Sequence, residues 1–96
     1  LVQFSAAAAR AIAVQFRHDA PGRIQEMQTA LARADQTTLG RSAHTLKSSA
    51  HYVSAHALAD CCKQIEKLAD AGRLDEAAPL VAQAASALDH FLQTPI

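Results

Sequence analysis

The sequence has no tryptophan, one tyrosine and three phenylalanines, and only three glycines and three prolines in 96 residues. So few turn formers exclude a loop-rich or Gly/Pro-repeat protein. Scarce aromatic and β-branched residues argue against a sheet. Charge of a dominant sign is also missing, because nine Lys and Arg balance nine Asp and Glu. A nucleic-acid-binding surface needs a basic excess or stripe, and a membrane-surface anchor needs clustered cations. Neither partner is expected. No apolar run approaches the ~18 residues that span a bilayer, and no basic–apolar–small leader opens the chain. The two cysteines, Cys61 and Cys62, are adjacent. Neighbouring cysteines seldom bridge each other, and these lack the further ligands a zinc site requires. No metal site is expected, and a reduced, cytoplasmic compartment is the simplest reading.

What is abundant is alanine, at 23 of 96 residues, in a chain that is 50% hydrophobic and 19% charged. That is too apolar for disorder, and alanine is the best helix former. The length suits one domain, 1–96, with a modest core and no deep substrate cavity. Large-substrate enzymology is not expected. Because the sequence opens on Leu1 and not Met, a domain cut from a longer protein is expected.

Apolar residues recur at helical spacing in five segments. Phe4, Ala8, Ile12 and Phe16 form the first, and Ile24, Met27, Leu31 and Ala34 the second. Pro21 and Gly22 lie between them, either separating two helices or kinking one long helix. Asp35 is a good N-cap for a third helix carrying Leu39, Ala43, Leu46, Ala50 and Val53. Leu58, Cys62, Ile65 and Ala69 mark the fourth, closed by a cap at Gly72. Asp75 then caps a fifth, with Leu74, Ala77, Val81, Ala84, Leu88 and Phe91 on one face. No segment alternates with period two. The expected fold is all-α: an antiparallel up-down four-helix bundle with an additional N-terminal helix.

The third helix carries the chemistry. At about 100° per residue its apolar positions span an arc of about 80°, and His44 points about 140° from the arc's centre. Ser48, Arg41, His51 and Tyr52 share this outward sector, and Lys47 lies on its flank. An exposed imidazole, with a reference pKa near ~6.5, is mostly neutral at pH 7 and offers a nucleophilic nitrogen. Arg41 and Lys47 on either side suit an anionic group such as phosphoryl. A solvated helix face carrying His and Lys is the alternative reading of the same residues.

The run Ala43-His44-Thr45-Leu46-Lys47-Ser48-Ser49-Ala50 closely resembles the signature of histidine-containing phosphotransfer (HPt) domains of bacterial multistep phosphorelays. That signature reads A-H-x-L-K-G-[SA]-[SA], then a small residue at the helix end and Leu and Cys on the next helix. Ser54, Leu58 and Cys61 occupy the later positions. The stretches around Asp19–Ile24 and Gly72–Ala77 are also similar, so the resemblance runs from about Phe4 to Leu92. It implies that His44 accepts and donates a phosphoryl group and that Lys47 neutralises phosphate charge. It also implies that Glu66 orients the imidazole. On the residues alone, Glu66 reads equally as a surface carboxylate paired with Lys63 or Lys67.

The resemblance further implies response-regulator receiver domains as partners, met by a surface including Arg41, Ser48, His51 and Tyr52. The receiver would supply the divalent metal, leaving no cofactor on this chain. No kinase activity of its own is expected, since no glycine-rich phosphate loop is present. A hybrid sensor kinase is the expected parent, membrane-bound in some cases, with this module in the cytoplasm. A free-standing shuttle stays open, as does the oligomeric state, with a monomer favoured.

Two departures stand out. Ser48 occupies a position where the family has glycine close to the receiver, and Ser54 occupies a helix-end glycine position. A helical docking module without phosphotransfer is therefore the alternative function. His18, His56 and His90 read as surface residues, Cys61 and Cys62 as core or core-flanking, and Phe4, Phe16 and Phe91 as core fillers.

Overall fold

Three short breaks divide the chain into four helices in the computed structural model, which describes residues 6–94. They are α1 (Ala6–Ala32), α2 (Gln36–Tyr52), α3 (His56–Asp70) and α4 (Leu74–Leu92), with no strand among the described residues. Each helix packs on the next, and α1 closes the ring against α4. Short links between neighbours make the bundle antiparallel, up and down.

The breaks at 33–35, 53–55 and 71–73 share one construction. The middle residue of each is left-handed: Ala34 at φ 53°, Ser54 at φ 60° and Gly72 at φ 72°. At each, two backbone bonds close the helix end. Ala34 N donates to Leu31 O (3.1 Å) and Asp35 N to Ala30 O (2.8 Å). Ser54 N and Ala55 N likewise reach His51 O and Ala50 O, and Gly72 N and Arg73 N reach Ala69 O and Leu68 O. These are Schellman motifs, which satisfy carbonyls that a helix end leaves unpaired. Only one of the three uses glycine.

The bundle corrects the sequence-based boundaries in three places. The additional N-terminal helix is not a separate element, because α1 runs unbroken through Pro21. Pro21 and Gly22 are exposed while Ala20 and Ile24 are buried. The missing N–H bond therefore falls on the solvent side, where water can satisfy the carbonyl one turn back, and packing holds both halves in line. Ala34, counted as apolar helix face, is the exposed link residue. Asp75 is not an N-cap; Arg73 holds that position without a side-chain bond, and Asp75 sits in the first turn, where its charge suits the helix dipole. Asp35 does cap α2, accepting from Thr38 N at 3.1 Å and from Thr38 Oγ1 at 2.6 Å.

The core contains the expected faces: Phe16, Ile24 and Met27 from α1, Leu39, Ala43, Leu46 and Ala50 from α2, Leu58, Cys62, Ile65 and Ala69 from α3, and Ala77, Val81, Ala84 and Leu88 from α4. Phe4 lies outside the described residues. Phe91 is half-buried and meets Phe16 edge-on, with ring centroids 5.5 Å apart. Small residues line the α2–α3 seam. Ala43, Ala50, Ala59, Cys62 and Ala69 are all buried, and a Cβ added at Gly40 would stand 3.5 Å from that of Ala69. Short side chains let the two helices approach closely, and that approach positions the site.

Candidate functional site

His44 stands on the outer face of α2 with its side chain 61% exposed. Its Nδ1 lies 2.8 Å from Oε2 of Glu66, one helix away on α3. The second carboxylate oxygen, Oε1, accepts from Lys47 Nζ at 2.6 Å. Lys47 and Glu66 are both 24% exposed, so their ion pair is largely screened from water by the helices that carry it. Residues 44 and 47 are three apart on α2 and therefore neighbours on one face. A single carboxylate on the adjoining helix holds them both.

Lys47, foremost, and then the hydrogen bond from His44 hold the Glu66 carboxyl below the usual glutamate range, against an opposing effect of burial. Glu66 is thus ionised at neutral pH and can only accept hydrogen bonds. It follows that Nδ1 of His44 carries the ring proton. Nε2 is then the nitrogen with the free lone pair, and it has no protein partner among the described residues. Such an arrangement makes Nε2 a nucleophile presented to solvent.

The structure therefore brings together three of the residues singled out by sequence, His44, Lys47 and Glu66. Of the two readings open for Glu66, its contacts follow the cross-helix one; its oxygens face α2 and not Lys63 or Lys67 of its own helix. Arg41, Ser48, His51 and Tyr52 lie on the exposed face of α2, as the helical wheel placed them. Among the described residues, Arg41, His51 and Tyr52 make no hydrogen bond or ion pair with the trio. Ser48 donates its hydroxyl to the His44 carbonyl at 3.3 Å, so that group is turned back onto its own helix.

Two features escaped the sequence. Buried Cys62 lies close enough to Lys47 and Glu66 to feel their charges, and burial, chiefly, pushes its thiol up to about 12. Also, Tyr52, 74% exposed, lines a groove between α1 and α2 together with Ile12, Phe16, Ala20 and Thr45. Helical periodicity orients side chains about one axis and carries no information on which helix lies alongside. Among the described residues, no three or more His, Cys, Asp or Glu side chains gather as metal ligands, and no helix is long and apolar enough to cross a membrane.

No curated protein and no solved structure matches the chain. A family model described as Hpt domain matches residues 11–94, a span that contains all four helix-core faces, His44, Lys47 and Glu66. The chain therefore belongs to the Hpt domain family, whose members pass phosphoryl groups through a histidine in phosphorelays and are intermediates, not kinases.

Proposed function

We propose that this chain is a phosphorelay intermediate whose His44 takes a phosphoryl group from a receiver-domain aspartate and gives it to a second receiver aspartate. The observation that carries this reading is the 2.8 Å contact between Glu66 and Nδ1, which leaves Nε2 of an exposed histidine free to attack. In the accepting step the Nε2 lone pair forms the N–P bond while the P–O bond to the receiver aspartate breaks. The aspartate leaves as a carboxylate, and Nδ1 keeps its proton. The ring becomes cationic, and Glu66 stands against that charge. Lys47, within reach of the same carboxylate, is placed to share its charge with the phosphoryl oxygens.

The receiver supplies the acidic pocket and its divalent metal, so this chain needs no cofactor. Arg41, Ser48, His51 and Tyr52 form the surrounding contact surface. We place the chain in the cytoplasm as a single monomeric module, 1–96, of a bacterial hybrid sensor kinase. The testing experiment incubates it with a phosphorylated receiver and follows acid-labile, alkali-stable label. Wild type acquires label and His44→Gln does not. Absence of label on wild type, or label on His44→Gln, overturns the reading; receiver binding without transfer would instead mark a docking module.

A further inference from the structure

The chain is neutral in sum, yet α2 holds no Asp or Glu from Gln36 to Tyr52 while carrying Arg41, His44, Lys47 and His51. The balancing acids lie on other elements. Of the α2 cations, Lys47 is answered at 2.6 Å by Glu66. That pair sums to zero charge, so it acts on a group in contact and contributes little to the field felt by an approaching partner. A cation that acts at range must stand elsewhere on this face.

The register of α2 against α3 places one. Gly40 lies against Ala69 across the seam, and His44 against Glu66. The two helices are antiparallel, so one turn onward from His44 is one turn back from Glu66. Lys47 and Ser48 therefore stand level with Cys62 and Lys63, and the electrostatic effect of Lys47 on Cys62 agrees with that register. Around the α3 axis Lys63 lies about 60° from Glu66, on its solvent side. It is exposed and makes no ion pair among the described residues. An ammonium thus stands uncompensated one turn from His44, across the seam. Asp60 and Lys67 are turned further from α2, at about 120° and 100° from Glu66. Asp70 lies on the other side of Glu66, level with Gly40 and Arg41, where the opposite charges of Asp70 and Arg41 offset each other at range.

We propose that Lys63 is a specificity residue for association, drawing the acidic surface of a receiver domain onto the His44 face. This rests on the phosphoryl-carrier reading of His44 given above. A phosphorylated receiver presents carboxylates and a phosphoryl group, all anionic, toward this side of the bundle. Lys63 does no chemistry; it raises the frequency of productive encounter and leaves the transfer step to His44 and Lys47. Charges at the rim of an interface act in this way, on the association rate and its salt dependence. A receiver with an anionic group opposite Lys63 is favoured over one that places a cation there.

The test takes a panel of purified receiver domains phosphorylated with acetyl phosphate, selects one that labels wild type, and measures transfer against receiver concentration. At an ionic strength of about 0.02 M we expect KM to rise about threefold in Lys63→Gln and about tenfold in Lys63→Glu, with the maximal rate unchanged. Lys63→Arg should match wild type. Near 0.5 M the differences should shrink below about twofold, because screening shortens the reach of an exposed charge. Arg10→Gln, which removes the same charge from the exposed start of α1, should leave KM unmoved. A KM of Lys63→Glu equal to wild type at low salt overturns the inference, as does an effect that salt does not weaken or that Arg10→Gln reproduces. Labelling by phosphoramidate, which needs no receiver, should persist in every variant. Its loss in folded Lys63→Gln would put Lys63 in the chemistry and reject an association role. Wild type labelled by phosphoramidate but by no receiver sinks the proposed function and this inference with it, whereas receiver transfer indifferent to Lys63 sinks this inference alone.

Discussion

The Lys47 ammonium lies 2.6 Å from Oε1 of Glu66, so the lysine one turn along α2 from the exposed His44 is already paired across the α2–α3 seam. Its charge reaches His44 through a shared carboxylate, not by direct contact. Replacing Lys47 with Ala removes the positive member of the site and leaves Glu66 facing His44 alone. Transfer from a phosphorylated receiver should slow roughly tenfold with the helical content unchanged. Rapid-quench measurement of label on His44, with circular dichroism as the control, checks this. An unaltered rate removes Lys47 from the site.

Ser48 is the next residue along the same face, and its hydroxyl is spent on the His44 carbonyl at 3.3 Å. It adds bulk beside the histidine without aiming a donor outward. Ser48→Gly is therefore expected to transfer at an equal or higher rate, while a glycine inside α2 costs roughly 0.5–1 kcal/mol of stability. Denaturant melts and transfer kinetics on the same preparation read both effects. A marked loss of transfer in folded protein would show the hydroxyl to be useful.

The three links offer a stability test independent of function. Ala34 at φ 53° and Ser54 at φ 60° carry side chains in the conformation Gly72 adopts freely. Ala34→Gly and Ser54→Gly should each stabilise by about 1 kcal/mol, and Gly72→Ala should destabilise by a similar amount. A Cβ at Gly72 meets nothing closer than 3.7 Å, so the cost there is backbone strain and not a clash. Urea midpoints at constant m-value report the changes.

Acid stability should depend on Glu66. Its carboxyl is held low in the folded state, chiefly by Lys47, whereas the unfolded chain restores the ordinary value of about 4.3. A lowered folded value means the unfolded state binds protons first. The stabilisation is therefore present above about pH 4.3 and is lost as pH falls through the folded value. Thr38 acts on Asp35 in the same direction. Thermal melts from pH 6 to 2 should show a shallower acid limb for Glu66→Gln than for wild type, whereas parallel curves would contradict the coupling.

The thiols should be slow to react. Burial raises both, Cys62 to about 12 and Cys61 less completely exposed to that effect, and the thiolate is the reactive species. Native protein treated with iodoacetamide at pH 8 should gain its first adduct at half-buried Cys61, with Cys62 modified only on unfolding. Peptide mapping that found Cys62 modified first would mean that the α2–α3 seam opens.

Much of the site was legible because it lies on one helix. The positions of His44, Ser48, Arg41, His51 and Tyr52 follow from residue spacing about a single axis, which backbone hydrogen bonding makes regular. Glu66 was legible only as a candidate with two readings, since its partners belong to another helix. The continuity of α1 stayed open in the sequence for a related reason: local propensity at Pro21 favours a break, and packing of Ala20 and Ile24 on the bundle overrides it.

By itself, the sequence determined that the chain is helical, which faces are buried and that His44 is turned outward. Periodic apolar spacing and alanine content act locally and survive any arrangement of the helices. Only the tertiary structure decided that one carboxylate binds both His44 and Lys47, and so which imidazole nitrogen is free. That outcome depends on how closely α2 and α3 approach, which the small residues at Gly40, Ala43, Cys62 and Ala69 permit. A hydrogen bond is formed or lost within a fraction of an ångström, a tolerance that packing can set and spacing along the chain cannot.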